Sequence, residues 1–451
     1  MNIIFIILAV YFILLLLVVW YFAKKESVEA YFLNKRKTSL WLMTFANVAT
    51  VVGAGATVAV VSEVYNSGIS YGIALPISFI VGMISLGIVA KKIKIMGDKY
   101  KAYSIVDFFH KRFDKKNKVL AGVIQLFLLI MWIALQTTAV ATLAHVLIGV
   151  NYTLAIIVAI GITILYTTVG GLKADILTDF IQFWVILIVF IIMGVIGYIK
   201  VENLHNLIIQ LPQGHLNIFA FGGVGWFIGA IVLSGFVYLA NTAHWQRIFS
   251  AKNEKIARNS FFLSIPFMIT LSLLVLFFGL LAAGTLSDIN QDTAFFSLMY
   301  TMLPPWLIGL GFAAILAVAM SSIDSVVIGG STIIYREIFK NKSEGKKQVF
   351  YARLITASFG ILGGFVAFLI PSIITLSLFV TYLTLIFVPA IFAGLYAKTS
   401  ANASFYSILI SFILLLILFP IVGKNTFIIT TTVAIAIILF YDKLFKNSNL
   451  P

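Results

Sequence analysis

The chain is expected to fold as an all-α protein that crosses a membrane many times. Three observations carry that expectation. It is 61% hydrophobic and only 10% charged over 451 residues, where a soluble domain carries about 25% charge. Apolar runs of roughly 20 residues, the length that crosses hydrocarbon, recur along it. Its basic residues fall almost entirely into alternate connections, the positive-inside pattern.

The first run, Ile3 to Phe22, has no basic residue before it and Lys24-Lys25 after it. A signal peptide has the opposite charge layout, a shorter apolar core and a small-residue cleavage site. The run therefore reads as a retained span with the N-terminus outside. Further runs lie at 39–63, 68–90, 118–148, 153–169, 176–199, 223–241, 260–284, 306–333, 351–370, 372–396, 402–420 and 425–441, which makes thirteen spans. With the N-terminus outside, only Lys200 and Lys424 of the 31 basic residues fall on the outer side. The net charge of +15 is thus a topological signal, not a nucleic-acid surface. The basic loop from Lys91 to Lys118 is a solvated inner loop within reach of anionic membrane lipid. There is no cysteine, which excludes disulfides, thiolate metal sites and cysteine nucleophiles.

Four of the 16 acidic residues lie in or near the spans. Glu63 reads as interfacial. Asp175 sits at the start of the sixth span, where a helix N-terminus favours an anion. Asp179 is one turn deeper, and Asp324 is deep in the ninth span. Charged groups at membrane depth are costly and mark functional sites.

Two spans are unusual. The middle of the second reads Phe45-Ala-Asn-Val-Ala-Thr-Val-Val-Gly-Ala-Gly-Ala-Thr57, a poor helix interior. A local unwinding near Val51–Ala56 is expected there, freeing backbone carbonyls at mid-membrane. The ninth span contains Met320-Ser-Ser-Ile-Asp-Ser325. Ser321, Asp324 and Ser325 share one helix face, and Ser322 lies about 100° round. Ala49 and the Ser321–Ser322 pair fall at comparable depths, which points to one oxygen-lined cation site and a second one nearer the inner face. Hard oxygens suit a hard cation. Close packing is the other reading: small residues let membrane helices approach, and hydroxyls bond back to helix carbonyls.

Several motifs add to this. Gly170-Gly-Leu-Lys-Ala-Asp-Ile-Leu-Thr-Asp-Phe-Ile-Gln182 resembles the GGLxAxxxTDxxQ motif of the sodium:solute symporter (SGLT-like) family. Gln246-Arg-Ile-Phe-Ser-Ala-Lys-Asn253 is similar to its QRxxxAKN loop, and Ala317–Ser325, with Ser331-Thr332 and Tyr335–Phe339, to its MSSxDS signature. Tyr103–Phe113 resembles its SxxDFxxxRF inner-loop element. The resemblance implies a LeuT-type core of two five-helix inverted repeats. The chain then divides into an extra helix and inner loop (1–38), a first repeat (39–199), an outer loop (200–222), a second repeat (223–397), and two extra helices with a short tail (398–451). It also implies a second helix break, expected around Gly222–Gly235, where five glycines cluster.

By position, the family's main sodium ligands would fall on the carbonyls of Ala49, Val52 and Val318 and the hydroxyls of Ser321 and Ser322. A second cation or proton site would fall on Asp179, Asp324 and Ser325, although Asp324 stands where two-sodium members carry a hydroxyl. The solute would lie beside the breaks, from Val51, Gly53 and Ala56 across to Tyr238, with Trp132 and Gln136 as lining residues or as packing. Val51 replaces a polar residue of several members, and Asn241-Thr-Ala-His-Trp lacks the frequent Asp/Asn-Gln pair. Both departures argue against a plain sugar pocket. His244 reads as structural.

The expected function is sodium-coupled symport of a small organic solute into the cell by alternating access, in the cell membrane, with sodium as coupling ion and no cofactor. An amino acid, a carboxylate, a sugar and a vitamin all remain open as the solute. Proton coupling through Asp179 or Asp324 is the alternative. A membrane sensor is a lesser one, since the chain stops shortly after its last span. A membrane enzyme is disfavoured because no HExxH or nucleophile elbow is present.

Overall fold

The computed structural model describes residues 2–22, 27–339 and 346–445. The Lys24-Lys25 pair and the end of the C-terminal tail lie outside these. The described residues are helical almost throughout, and the one β-bridge among them joins Thr38 to Ala251.

The principal helices are α1 (Asn2–Phe22), α2 (Leu40–Val51), α3 (Val58–Ser67), α4 (Ile69–Tyr100), α5 (Lys115–Ile148), α6 (Tyr152–Lys200), α7 (Gly223–Leu233), α8 (Thr242–Ser250), α9 (Glu254–Thr285), α10 (Pro305–Ile338), α11 (Lys346–Leu369), α12 (Ile373–Leu385), α13 (Val388–Tyr396), α14 (Ala401–Val422) and α15 (Thr426–Leu444). Short helices occupy Val28–Leu33, Ile105–Arg112, Leu204–Gln210 and Ala294–Met302. Among the described residues, nine helices are long and apolar enough to cross a membrane, or ten with the bent pair α2–α3.

The difference from the expected thirteen lies in three places. α6 carries two expected spans on either side of a kink at Gly171, and its first part, Tyr152–Gly161, is short on its own, as is the apolar stretch Ile6–Tyr21 of α1. α14 and α15 count as one long apolar stretch, yet they fold back on each other. The Ser400 amide donates to Asp442 Oδ2 at 2.9 Å, and Ser407 Oγ donates to the Ala434 carbonyl at 3.0 Å.

The first expected break is where the sequence placed it. α2 ends at Val51, a 3-10 turn spans Ala54–Ala56, and the two helical halves meet at 71°. The second lies further along than expected. Gly223 opens α7 with a φ of 75°, Gly225 and Gly229 sit within the helix, and it tightens to 3-10 over Ser234–Ala240 before Asn241 turns extended (ψ 116°). Glycine content does not set this break; side-chain hydrogen bonding does. Asn241 caps α8 through the Ala243 amide at 2.9 Å. Gln125 of α5 donates to the Ala240 carbonyl at 3.2 Å and accepts from Thr242 Oγ1 at 2.7 Å.

α10 is the axis of the molecule. From Phe312 to Ile333 every residue is buried, wrapped by α1, α2, α5, α6 and α11. Near its Arg336 end, the two broken elements are pinned together. The Thr38 amide, just before α2, donates to the Ser250 carbonyl at 3.0 Å, and the Lys252 amide donates to the Thr38 carbonyl at 3.1 Å.

α6 turns at Gly171, whose φ of 60° with ψ of −173° is a glycine conformation. Tyr31 wedges into this turn, its hydroxyl 3.1 Å from both the Thr168 carbonyl and Thr356 Oγ1. A Cβ at Gly171 would approach the Tyr31 ring to 2.6 Å and its carbonyl to 2.8 Å. We expect Gly171→Ala to destabilise the fold by about 2–4 kcal/mol, read as a lower thermal midpoint in detergent. Gly161→Ala, where nothing lies within 4 Å, should leave the midpoint in place.

Candidate ion and solute site

The site begins with what the first break does to the backbone. The Val52 amide closes the last turn of α2 by donating to the Val48 carbonyl at 2.9 Å, and Gly53 then runs extended. Beyond it the Ala54 amide finds a side chain: it donates to Gln136 Oε1 at 2.8 Å. Gln136 is fully buried and holds the break open by standing in for a helix carbonyl. Gly53 is dictated by approach, since a Cβ there would fall 2.4 Å from Ser322 Oγ.

The carbonyls on the α2 side meet the serines of α10. Ser321 Oγ donates to the Ala49 carbonyl at 2.9 Å and lies 3.1 Å from the Val318 carbonyl. Ser322 Oγ donates to the Thr50 carbonyl at 2.9 Å. Both serines are buried. Of the five residues expected to form the main ion site, Ala49, Val318, Ser321 and Ser322 therefore converge. Val52 is adjacent, but the carbonyl that the second serine bonds is that of Thr50. All contributed atoms are carbonyl or hydroxyl oxygens, neutral and hard, a donor set suited to a hard cation of low charge.

One turn along α10 the chemistry becomes ionic. Arg247 of α8 is fully buried. Its Nη2 lies 2.6 Å from Asp179 Oδ2, 2.7 Å from Ser325 Oγ and 3.4 Å from Asp175 Oδ2. Ser325 Oγ in turn donates to Asp175 Oδ1 at 2.9 Å. Thr50 Oγ1 sits 3.4 Å from both Asp179 Oδ2 and Ser325 Oγ, joining this cluster to the oxygens above it. Asp179 and Ser325 thus come together as expected of a second site, but a guanidinium bridges them. Asp324 points elsewhere and accepts from Thr167 Oγ1 of α6 at 2.6 Å. Asp324 and Ser325 both lie on the Ser321 side of α10, but about 100° apart, and that offset sends Asp324 to Thr167 and not to Arg247.

Sequence reasoning missed Arg247 and Asp175 here. The Gln246-Arg247 motif carried the signal without its partner, and Asp175, read as a helix-start anion, is buried in the ion cluster. Glu63, read as interfacial, is also buried, at 4% exposure.

A cavity lies beside both breaks. Val51, Gly55 and Ala56 line it on one side and Tyr238 and Asn241 on the other, with Trp132 between. Thr50 and Ser322 form its floor against the ion cluster, and Trp226, Tyr382 and Phe427 lie at the opposite end. Gly53 and Gln136 stand behind this wall. His244 is buried between the rings of Tyr238 and Phe261, with centroids at 6.0 and 5.9 Å.

The charge balance of the Arg247 cluster is testable. Removing the guanidinium leaves two buried carboxylates uncompensated, so Arg247→Gln should cost about 3–5 kcal/mol of stability. Pairing it with Asp179→Asn should recover part of the loss. Thermal midpoints of the single and double variants check this.

Comparison with known proteins bears on the family and the fold. The family model described as "Sodium:solute symporter family" matches residues 31–394. The sodium/pantothenate symporter of Haemophilus influenzae is 26% identical over 360 residues, covering 74% of this chain and 72% of that one. The osmoregulated proline transporter OpuE of Bacillus subtilis is 24% identical over 78% of this chain and 75% of its own. Among solved structures, a Na+-coupled sialic acid symporter in a substrate-bound outward-open state superposes with a TM-score of 0.81, at 17% identity, over 98% of each chain. The nucleobase-cation-symport transporter Mhp1 superposes at 0.57 with 12% identity, over 92% of this chain and 95% of its own.

Proposed function

The chain belongs to the sodium:solute symporter family, and on that footing we propose where it binds its ion and what kind of solute it carries. It is a sodium-coupled symporter built as a multi-pass membrane protein, not an enzyme. The proposed ion site is the cluster of Ala49, Val318, Ser321 and Ser322, with the carbonyls of Thr50 and Val52 at its edge. The convergence of the two α10 hydroxyls on the freed α2 carbonyls carries this reading. With sodium bound, each hydroxyl turns its hydrogen away and offers a lone pair to the ion. The ion then ties α2 to α10 more strongly than two neutral hydrogen bonds do.

The proposed topology has thirteen spans, counting α6 and the α14–α15 hairpin as two each, in the cell membrane. The N-terminus is outside and the C-terminus inside. The Thr38–Ala251 bridge then closes the cytoplasmic end, and the cavity opens outward past Trp226 and Phe427. Sodium enters from outside and favours the state that accepts solute, and the membrane potential adds about 2.3 kcal/mol per charge per 100 mV. Carbonyl and hydroxyl ligands do not titrate near neutrality, which supports sodium over a proton. The Asp179–Ser325 pair, already bridged by Arg247, supports the other cluster as the ion site.

The proposed solute is small and carries a carboxylate. Relatives are named for pantothenate and proline, and a structural neighbour for sialic acid; all three are carboxylates. The cavity wall of aromatic rings, aliphatic side chains and hydroxyls suits a compact organic body.

Reconstituted into liposomes, the protein should accumulate labelled pantothenate or proline under an inward sodium gradient. Ser321→Ala/Ser322→Ala should cut that uptake at least tenfold, the loss of two ion ligands being worth more than about 1.4 kcal/mol. Uptake indifferent to sodium, or untouched in the double variant, would contradict the assignment.

A further inference from the structure

A second cavity, of about 410 Å³, lies away from the ion and solute site, among α1, α5, α6 and α10. α10 contributes Phe312, Leu316 and Met320, and α5 contributes Val140, Ala144 and Ile148, each set at i, i+4 and i+8 on one helix face. α6 contributes Leu154 and Val158, with Ala155 and Ala159 beside them. Stripes of this kind run along the helix axes, so the cavity is a slot about 12 Å long at 1.5 Å per residue. All of the described residues that line it are apolar. Ala9, Ala144, Ala155 and Ala159 hollow it out, where larger side chains would close it.

Packing elsewhere holds the slot open. A Cβ at Gly309 of α10 would fall 2.8 Å from Ile7 Cδ1 and 3.2 Å from Ile4 Cα, so α1 is already at closest approach there. Val19 sits in the same way on Gly170 of α6, with 3.2 Å to an added Cβ, and Tyr11 Oη accepts from Gln182 Nε2 at 3.2 Å. Between the two glycine contacts, Leu8, Ala9 and Phe12 face the gap. The mouth and the back wall differ in exposure. Ala9 is exposed at the mouth, as are Leu154 and Val158, at 52% and 47%. Phe312, Leu316 and Met320 behind them are buried. The mouth belongs to membrane-spanning helices, so what lies outside it is hydrocarbon. An apolar cavity stays dry, and one of about 150 Å³ already binds benzene. Left empty, the slot would deprive its walls of dispersion partners on one side.

We infer that the slot binds one acyl chain of a membrane phospholipid, seated between α1 and α6 against Phe312, Leu316 and Met320. Its long direction follows the helices, as acyl chains do in a bilayer. One end reaches Ile148, Val150 and Leu154 at the α5–α6 connection, where a headgroup stays in the interface while its chain descends. The other end stops at Met320, one residue before Ser321, so the lipid packs on the helix that carries the ion-site hydroxyls. In the topology proposed above the lipid belongs to the outer leaflet; the site itself does not depend on that orientation.

The test puts the purified full-length protein in nanodiscs containing a phosphatidylcholine with a diazirine midway along one acyl chain. The sample is irradiated and the adducts are mapped by mass spectrometry. Adducts on Phe312, Leu316 or Met320 are expected, beside those on exposed Ile13 and Leu165, which any bilayer lipid reaches. Ala155→Phe/Ala159→Phe fills the slot and should cut the α10 adducts about tenfold, as about 1.4 kcal/mol of lost binding would. The Ile13 and Leu165 adducts should be unchanged. Ala9→Trp, at the exposed mouth, should have the same effect and serves where the double variant does not fold. Adducts confined to exposed residues overturn the inference, as do α10 adducts that persist in a folded variant. Labelling of α10 by a diazirine-bearing alkane but not by the phospholipid also overturns it, since that marks a closed cavity that lipid does not enter.

Discussion

The structure depends on a backbone constraint: inside a membrane every carbonyl and amide must find a partner within the protein. Unwinding α2 at Val52–Gly53 breaks that rule locally, and the surrounding side chains repair it. Gln136 takes the Ala54 amide, and Ser321 and Ser322 take the Ala49 and Thr50 carbonyls. Because the repair on the carbonyl side is made by hydroxyls, which can accept as well as donate, the same atoms can pass from hydrogen bonding to cation binding without moving the backbone far. A residue without a lone pair at those two positions would satisfy packing and leave nothing for an ion.

The second break follows the same logic with a different donor set. Asn241, Gln125 and Thr242 close the gap between the 3-10 segment and α8. α8 then delivers Arg247 to Asp175 and Asp179 on α6 and to Ser325 on α10, and Thr50 of α2 lies 3.4 Å from two of these partners. Four elements, including one half of each broken helix, thus meet within about two turns of α10. Movement of α8 relative to α10 has to separate a buried guanidinium from its carboxylates. That is a discrete rearrangement, the kind of bistable contact on which switching between states relies.

Much of this was legible in the sequence. Hydropathy and basic-residue placement marked the spans, and the Gly53–Gly55 stretch marked the first break to within a residue or two. The Ser321–Ser322 pair stood out because hydroxyls and a carboxylate in an apolar run require a reason. The less legible parts depended on distant partners. Hydrogen bonds from Gln125 and Asn241 set the second break, so its glycine-rich neighbourhood misled. Asp324 and Ser325 are neighbours in sequence yet bond α6 on opposite sides of its Gly171 turn, at Thr167 and at Asp175. Gln136 reads in the sequence as a lining or a packing residue, and only the position of the Ala54 amide assigns it to the break. The Arg247 cluster joins residues 68 and 78 positions apart, and no local pattern reports such a pairing.

The central claim is that the Ser321–Ser322 floor binds sodium, and the most direct measurement is the thermal midpoint of the purified protein titrated with sodium, potassium and choline chloride at constant ionic strength. A ligand that binds only the folded state stabilises it by about 2.7 kcal/mol at one hundred times its Kd. The account predicts a saturable rise specific to sodium. Identical midpoints in all three salts would contradict it.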